Sequence, residues 1–142
     1  MEERLADGYR GLRVYQTAFE LALEVFEATR SFPGTEIYDL AAQLKASSRS
    51  VAALIAEGYG RNRYSKDFIR FLINAIGSTD ETKVHLDFAQ RHGYLIDNTH
   101  QRLLEGYEKL GNTIRCFDSE HRKERFFLGN HETKKPRNLE RR

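Results

Sequence analysis

Four stretches of this chain set apolar residues at alternating steps of three and four, and that pattern restricts the fold more than any other feature. Such steps hold one face of a 3.6-residue helix against a neighbour. The first stretch, Leu12 to Ser31, runs Leu12, Tyr15, Phe19, Ala22 and Phe26, with Val14, Leu21 and Val25 as a second stripe beside it. The next starts near Thr35 or Glu36 and reaches Tyr59, with the seam Leu40, Leu44, Ser47, Val51, Leu54 and Gly58. A third runs from about Lys66 to His92 through Phe68, Leu72, Ala75, Thr79, Thr82, Leu86 and Ala89, flanked by Ile69, Ile73 and Ile76. The fourth spans about Thr99 to Phe117, with an extension to Phe127 open, along Leu103, Tyr107, Leu110, Ile114 and Phe117. Phe32-Pro33-Gly34 ends the first helix and Gly93 the third, because proline cannot continue the ladder and glycine tolerates a reversal. Short connections force neighbours to run antiparallel, so the expected fold is all-α, an up-down-up-down four-helix bundle. No strand-like alternation or internal repeat competes with it.

At 142 residues the chain suits one domain and can bury a core without covalent staples. A single cysteine, Cys116, rules out an intramolecular disulfide and suits a reducing compartment; it reads as a packed or half-buried thiol and not a nucleophile. No apolar run approaches signal-peptide or membrane-span length, so a cytoplasmic protein without membrane contact is expected. The overall charge of +2 is uneven. Residues 129–142 carry five cations against two acids, leaving the remainder at −1. The sequence therefore divides into a bundle domain over residues 1–128 and a basic tail over 129–142, expected to be disordered and able either to contact nucleic acid or merely to aid solubility. Residues Met1 to Gly11 read as a flexible lead-in.

The functional candidate is the corner between the second and third helices. Gly58 and Gly60 are expected to end one helix, with Glu57 beside them as the third structural corner residue, holding a cation. Ser65 is placed to cap the next helix, and Asp67 falls in its first turn, where the macrodipole favours an anion. Around them stand Arg61, Arg63, Lys66 and Arg70, with Tyr59 and Tyr64 interleaved, and Lys45 and Arg49 on the second helix could line the same surface. Cations neutralise phosphates and release counterions, and tyrosines stack on unpaired bases. The alternative is a solvated corner whose arginines pair with Asp67 and Glu57.

Chemistry of other kinds finds little footing. Ser47, Ser48 and Ser50 suit close helix packing better than nucleophilic attack, having no basic partner at a telling spacing. Carboxylate-bridged metal bundles need Glu-x-x-His on two helices, whereas this chain offers only Asp97-x-x-His100, Asp118-x-x-His121 and the pair Glu81 and His85. No phosphate-cradling glycine loop or triad spacing occurs. No metal, cofactor or catalytic activity is expected.

Three segments resemble one family. Tyr9-Arg10-Gly11-Leu12-Arg13-Val14-Tyr15-Gln16 is similar to the family's opening, and Ile55-Ala56-Glu57-Gly58-Tyr59-Gly60-Arg61 to its strongest signature. Phe68-Ile69-Arg70-Phe71-Leu72 and Ala75-Ile76-Gly77-Ser78 resemble its third-helix motif, with Glu81 at the acidic position that follows. The family is that of four-helix bundle proteins encoded in 23S rRNA intervening sequences, to which accessory proteins of diversity-generating retroelements are similar. Members usually carry proline, a small residue and asparagine where this chain has Ala52, Ala53 and Leu54, so no role of that asparagine transfers. The resemblance implies a homopentameric ring whose basic surface meets RNA or DNA, and a reverse transcriptase as a further partner in the retroelement relatives. Two functions follow: a non-enzymatic, ring-forming nucleic-acid-binding accessory protein, or a scaffold that binds a protein such as a reverse transcriptase without touching nucleic acid. Steep salt dependence separates the first from the second.

Overall fold

A computed structural model describes the backbone of residues 8–62 and 65–132, and their side chains except at 62, 121 and 124–132. Four α-helices form an all-α bundle: α1 (Arg13–Thr29), α2 (Leu40–Asn62), α3 (Lys66–Arg91) and α4 (Asp97–Glu132). No strand occurs among the described residues. Each helix packs on two others, with α2 against α1 and α3 and α4 against α3 and α1. Arg63, Tyr64 and the tail from 133 lie outside the described residues, and α4 runs unbroken through the division drawn at 128.

The core follows the periodicity, with exchanges on α2 and α1. All seven residues of the α3 seam are buried, as are Leu103, Tyr107, Leu110 and Ile114 of α4. On α2, Leu40, Leu44, Ser47 and Val51 are buried as expected, while Ile55 is fully buried and Leu54 only partly. On α1 the two stripes trade places. Val14, Ala18, Leu21 and Val25 face the core, whereas Phe19 and Phe26 remain 46% and 39% exposed.

Local chemistry sets the helix ends. The first residues described, Gly8–Gly11, form a 3-10 turn instead of a flexible lead-in, and Tyr9 packs edge-on against Tyr15 at 4.9 Å. After Pro33 a second 3-10 turn, Gly34–Glu36, delays α2 to Leu40. The delay has a cause: the Glu36 carboxylate accepts the Leu40 N–H at 3.2 Å, satisfying a donor that the first helical turn leaves open. The same carboxylate accepts the Tyr94 hydroxyl at 3.0 Å, joining the start of α2 to the α3–α4 connection. That bond to Glu36, with burial second, raises the Tyr94 pKa above the usual phenol value. At the end of α3, Gly93 has φ +78 and lets the Tyr94 N–H reach the Ala89 carbonyl at 2.8 Å. Neither Asp97 nor Asn98 stands ahead of α4 as a cap; Asp97 is its first residue and accepts from Gln90 at 3.0 Å.

Gly58 and Gly60 do not end α2, which continues to Asn62. Gly58 is buried inside the last turns of α2 because α3 crosses close to it. A Cβ there would lie 2.6 Å from Phe71 Cβ and 3.0 Å from Phe68 Cδ2. The glycine serves packing and not a reversal. Hydroxyls complete this seam: Thr82 Oγ1 donates to Ser47 Oγ at 2.9 Å, and Ser50 and Ser78 share a bond of 3.1 Å. The serines are thus small packing residues with satisfied hydroxyls.

Candidate nucleic-acid interface

The α2–α3 corner is built as a capped turn. Ser65 sits in extended backbone, φ −87 and ψ 161, and its hydroxyl accepts the Phe68 N–H at 3.2 Å. Asp67 occupies the first turn of α3 and holds Arg70 at 3.3 Å, an exposed pair that contributes little stability. Phe71 lies between two cations. Its ring centroid is 5.9 Å from the Arg61 guanidinium carbon and 6.0 Å from that of Arg70. The ring face attracts both and fixes them at one end of the bundle without neutralising them. Arg61 and Lys66 are exposed, and neither has an acidic partner among the described residues. Glu57 is exposed and pairs with no cation among them. Tyr59 is half-buried, with its ring edge-on to Phe68 at 6.3 Å, so part of its surface is committed to packing.

Lys45 and Arg49 do not join this cluster. Twelve residues separate Arg49 from Arg61, which turns them about 120° apart around α2. Arg61 faces α3 through Phe71, whereas Arg49 lines a groove on the α1 side. That groove has a volume of about 580 Å³. Tyr15, Phe19 and Phe26 form one wall; Ala52, Ala53 and Ala56 form the other. Sequence reasoning assigned these aromatics to the core and so missed the groove. A helical wheel drawn on α2 would have separated Arg49 from Arg61.

No group of three metal-binding side chains stands together among the described residues. His85 meets Glu81 at 3.3 Å, while His100 turns to Asp87 on α3 at 2.8 Å. Cys116 is exposed and free, a correction to the expectation of a packed or half-buried thiol. No helix among the described residues is long and apolar enough to cross a membrane.

Comparison with known proteins agrees with the fold. A solved structure of a protein of unknown function from the S23 ribosomal protein family of Bacteroides thetaiotaomicron superposes with a TM-score of 0.63 at 19% identity, covering 71% of this chain and 94% of that one. At such identity the likeness concerns the fold alone. No curated protein matches the chain. The family model described as 23S rRNA-intervening sequence protein matches residues 10–116, which takes in all of α1, α2 and α3 and the α4 core seam almost to its end. With three quarters of its length matched, the chain belongs to the 23S rRNA-intervening sequence protein family.

Proposed function

We propose that this chain is a non-enzymatic accessory protein that binds RNA or DNA and assembles into a ring. Its bundle is read as antiparallel, with Arg61, Lys66 and Arg70 at one end as the phosphate-binding set and Arg63 beside them in sequence. The observation that carries the reading is the arrangement around Phe71: two guanidiniums share one ring, and Arg61 and Lys66 lack acidic partners among the described residues. Charges left in this way exchange counterions for phosphates. Family membership supports a link to rRNA, and the apolar faces on α1 and α3 supply surface for contact between copies. Around a ring, modest patches would add by multivalency. A cytoplasmic setting suits the exposed free thiol of Cys116.

Fluorescence anisotropy of a structured rRNA fragment, titrated at several salt concentrations with the intact chain and a 1–132 truncation, tests the reading. Salt-sensitive binding retained by the truncation places the contact on the bundle, and binding lost on truncation moves it to the tail. Absence of binding by the intact chain at low salt would sink the nucleic-acid reading and favour the protein-binding scaffold.

A further inference from the structure

Among the described residues, two apolar surfaces are left open, one on α1–α2 and one on α3, and they are complementary. One is concave: the α1–α2 groove, with Phe19 and Phe26 on its wall and alanines opposite. The other is convex: α3 presents Ile73, Val84 and Phe88, exposed by 48%, 50% and 53%, on the face turned away from its buried seam. The spacing 73, 77, 84, 88 keeps one helix face, with Gly77 leaving the stripe thin near its start. The stripe is long enough to run the full length of the groove. At 1.5 Å per residue, Tyr15 to Phe26 spans about 16 Å and Ile73 to Phe88 about 22 Å.

Charge selects the pairing. Among the described residues, Arg49 is the only charged one lining the groove, and none of those lining it is a carboxylate. The α3 stripe carries acids at its centre, Asp80 and Glu81, whose carboxylates are exposed and keep open surface beyond their present partners Lys83, Arg115 and His85. Groove against groove would instead bring two Arg49 side chains into one junction with no acid among the described lining residues. We propose that the α1–α2 groove of one copy receives the α3 stripe of the next, with Arg49 meeting the acids at its centre. This inference rests on the ring reading above and names its interface. Because the two surfaces differ, the contact is heterologous, linking copies head to tail and closing a ring when the rotation allows.

The test measures solution mass by light scattering for the wild-type chain, Phe19→Glu and Phe88→Glu, alone and mixed in equal amounts. Both substitutions fall at exposed sites, and unchanged helical circular dichroism and melting temperature confirm folding; Ile73→Glu serves as a second stripe variant. The expected result is a wild-type assembly, each variant alone at the single-copy mass of 16.5 kDa, and the mixture at two copies. The mixture dimerises because an intact stripe on one variant meets an intact groove on the other. A mixture that stays at single-copy mass, or single variants that stay assembled in a wild-type-like state, would overturn this interface while leaving ring formation standing. A wild-type chain of single-copy mass at every concentration would overturn the ring reading as well.

Discussion

Helix α2 is lined with small residues on two flanks, and the two flanks behave differently. Towards α3, Gly58, Ser47 and Ser50 admit a helix so close that a Cβ at 58 would overlap Phe71 Cβ, and hydroxyls bridge the seam. Towards α1, Ala52, Ala53 and Ala56 face Phe19 and Phe26 across an open groove. Small side chains permit close approach but do not cause it; the facing helix must bring a seam of matching width. Helix α3 brings Phe68, Leu72 and Ala75 in regular order, and the gap closes. Helix α1 turns Leu21 and Val25 inward, with Leu21 settling against Gly106 of α4, so its aromatics are left at the groove.

The sharpest way to break this comparison is to enlarge a small residue on each flank. Gly58→Leu should cost about 3 kcal/mol, because Phe71 Cβ is fixed to the backbone and cannot yield. Ala53→Leu, on the open flank, should stay within about 0.5 kcal/mol. Urea denaturation of both variants checks the contrast, and equal losses would refute it. A smaller effect is expected at the hydroxyl bridge. Thr82→Val leaves Ser47 without its 2.9 Å donor and should cost about 1 kcal/mol, with a double-mutant cycle against Ser47→Ala showing coupling.

The buried Tyr107 sharpens the contrast within the tight part of the core. Its hydroxyl makes no hydrogen bond among the described residues; Ser48 lies near enough to ease its ionisation slightly but donates to the Lys45 carbonyl at 3.1 Å. Burial raises the Tyr107 pKa above the usual phenol value. The unfolded chain ionises first, so this group's contribution is fully present below pH about 10 and is lost as pH rises towards the folded value. Tyr107→Phe should therefore be nearly neutral at pH 7 and shift alkaline unfolding, followed by circular dichroism, to higher pH. No shift would mean that the hydroxyl is solvated.

Much of this was legible in the sequence, for reasons that individual residues make plain. The α3 seam read correctly throughout, since one stripe dominates that helix and Thr79 and Thr82 fit its register. Ser65 announced its cap, because a hydroxyl before a helical run has few other uses. Helix α1 misled, as its two stripes lie about 100° apart and periodicity does not say which one meets the core. The structure turns Ala18, Leu21 and Val25 inward and leaves Phe19 and Phe26 exposed. Gly58 misled in another way: closeness to a helix end is visible in sequence, but the approach of a second helix is not. Arg61 and Arg70 meet at Phe71, whereas residue count alone places Arg49 on a different flank of α2 from Arg61.

That separation supplies the most direct test of the proposed function. Binding of the rRNA fragment would be followed against salt for the wild-type chain, an Arg61→Ala, Lys66→Ala, Arg70→Ala variant and a Lys45→Ala, Arg49→Ala variant. Phosphate contact at the corner predicts that the triple variant binds weakly and flattens the plot of log affinity against log salt by about 2, since each lost contact removes about 0.7–0.9. The double variant should change the slope by less than about 0.5 when compared at matched assembly state. Equal flattening by both variants, or none by the triple, would contradict the assignment of nucleic-acid binding to the α2–α3 corner.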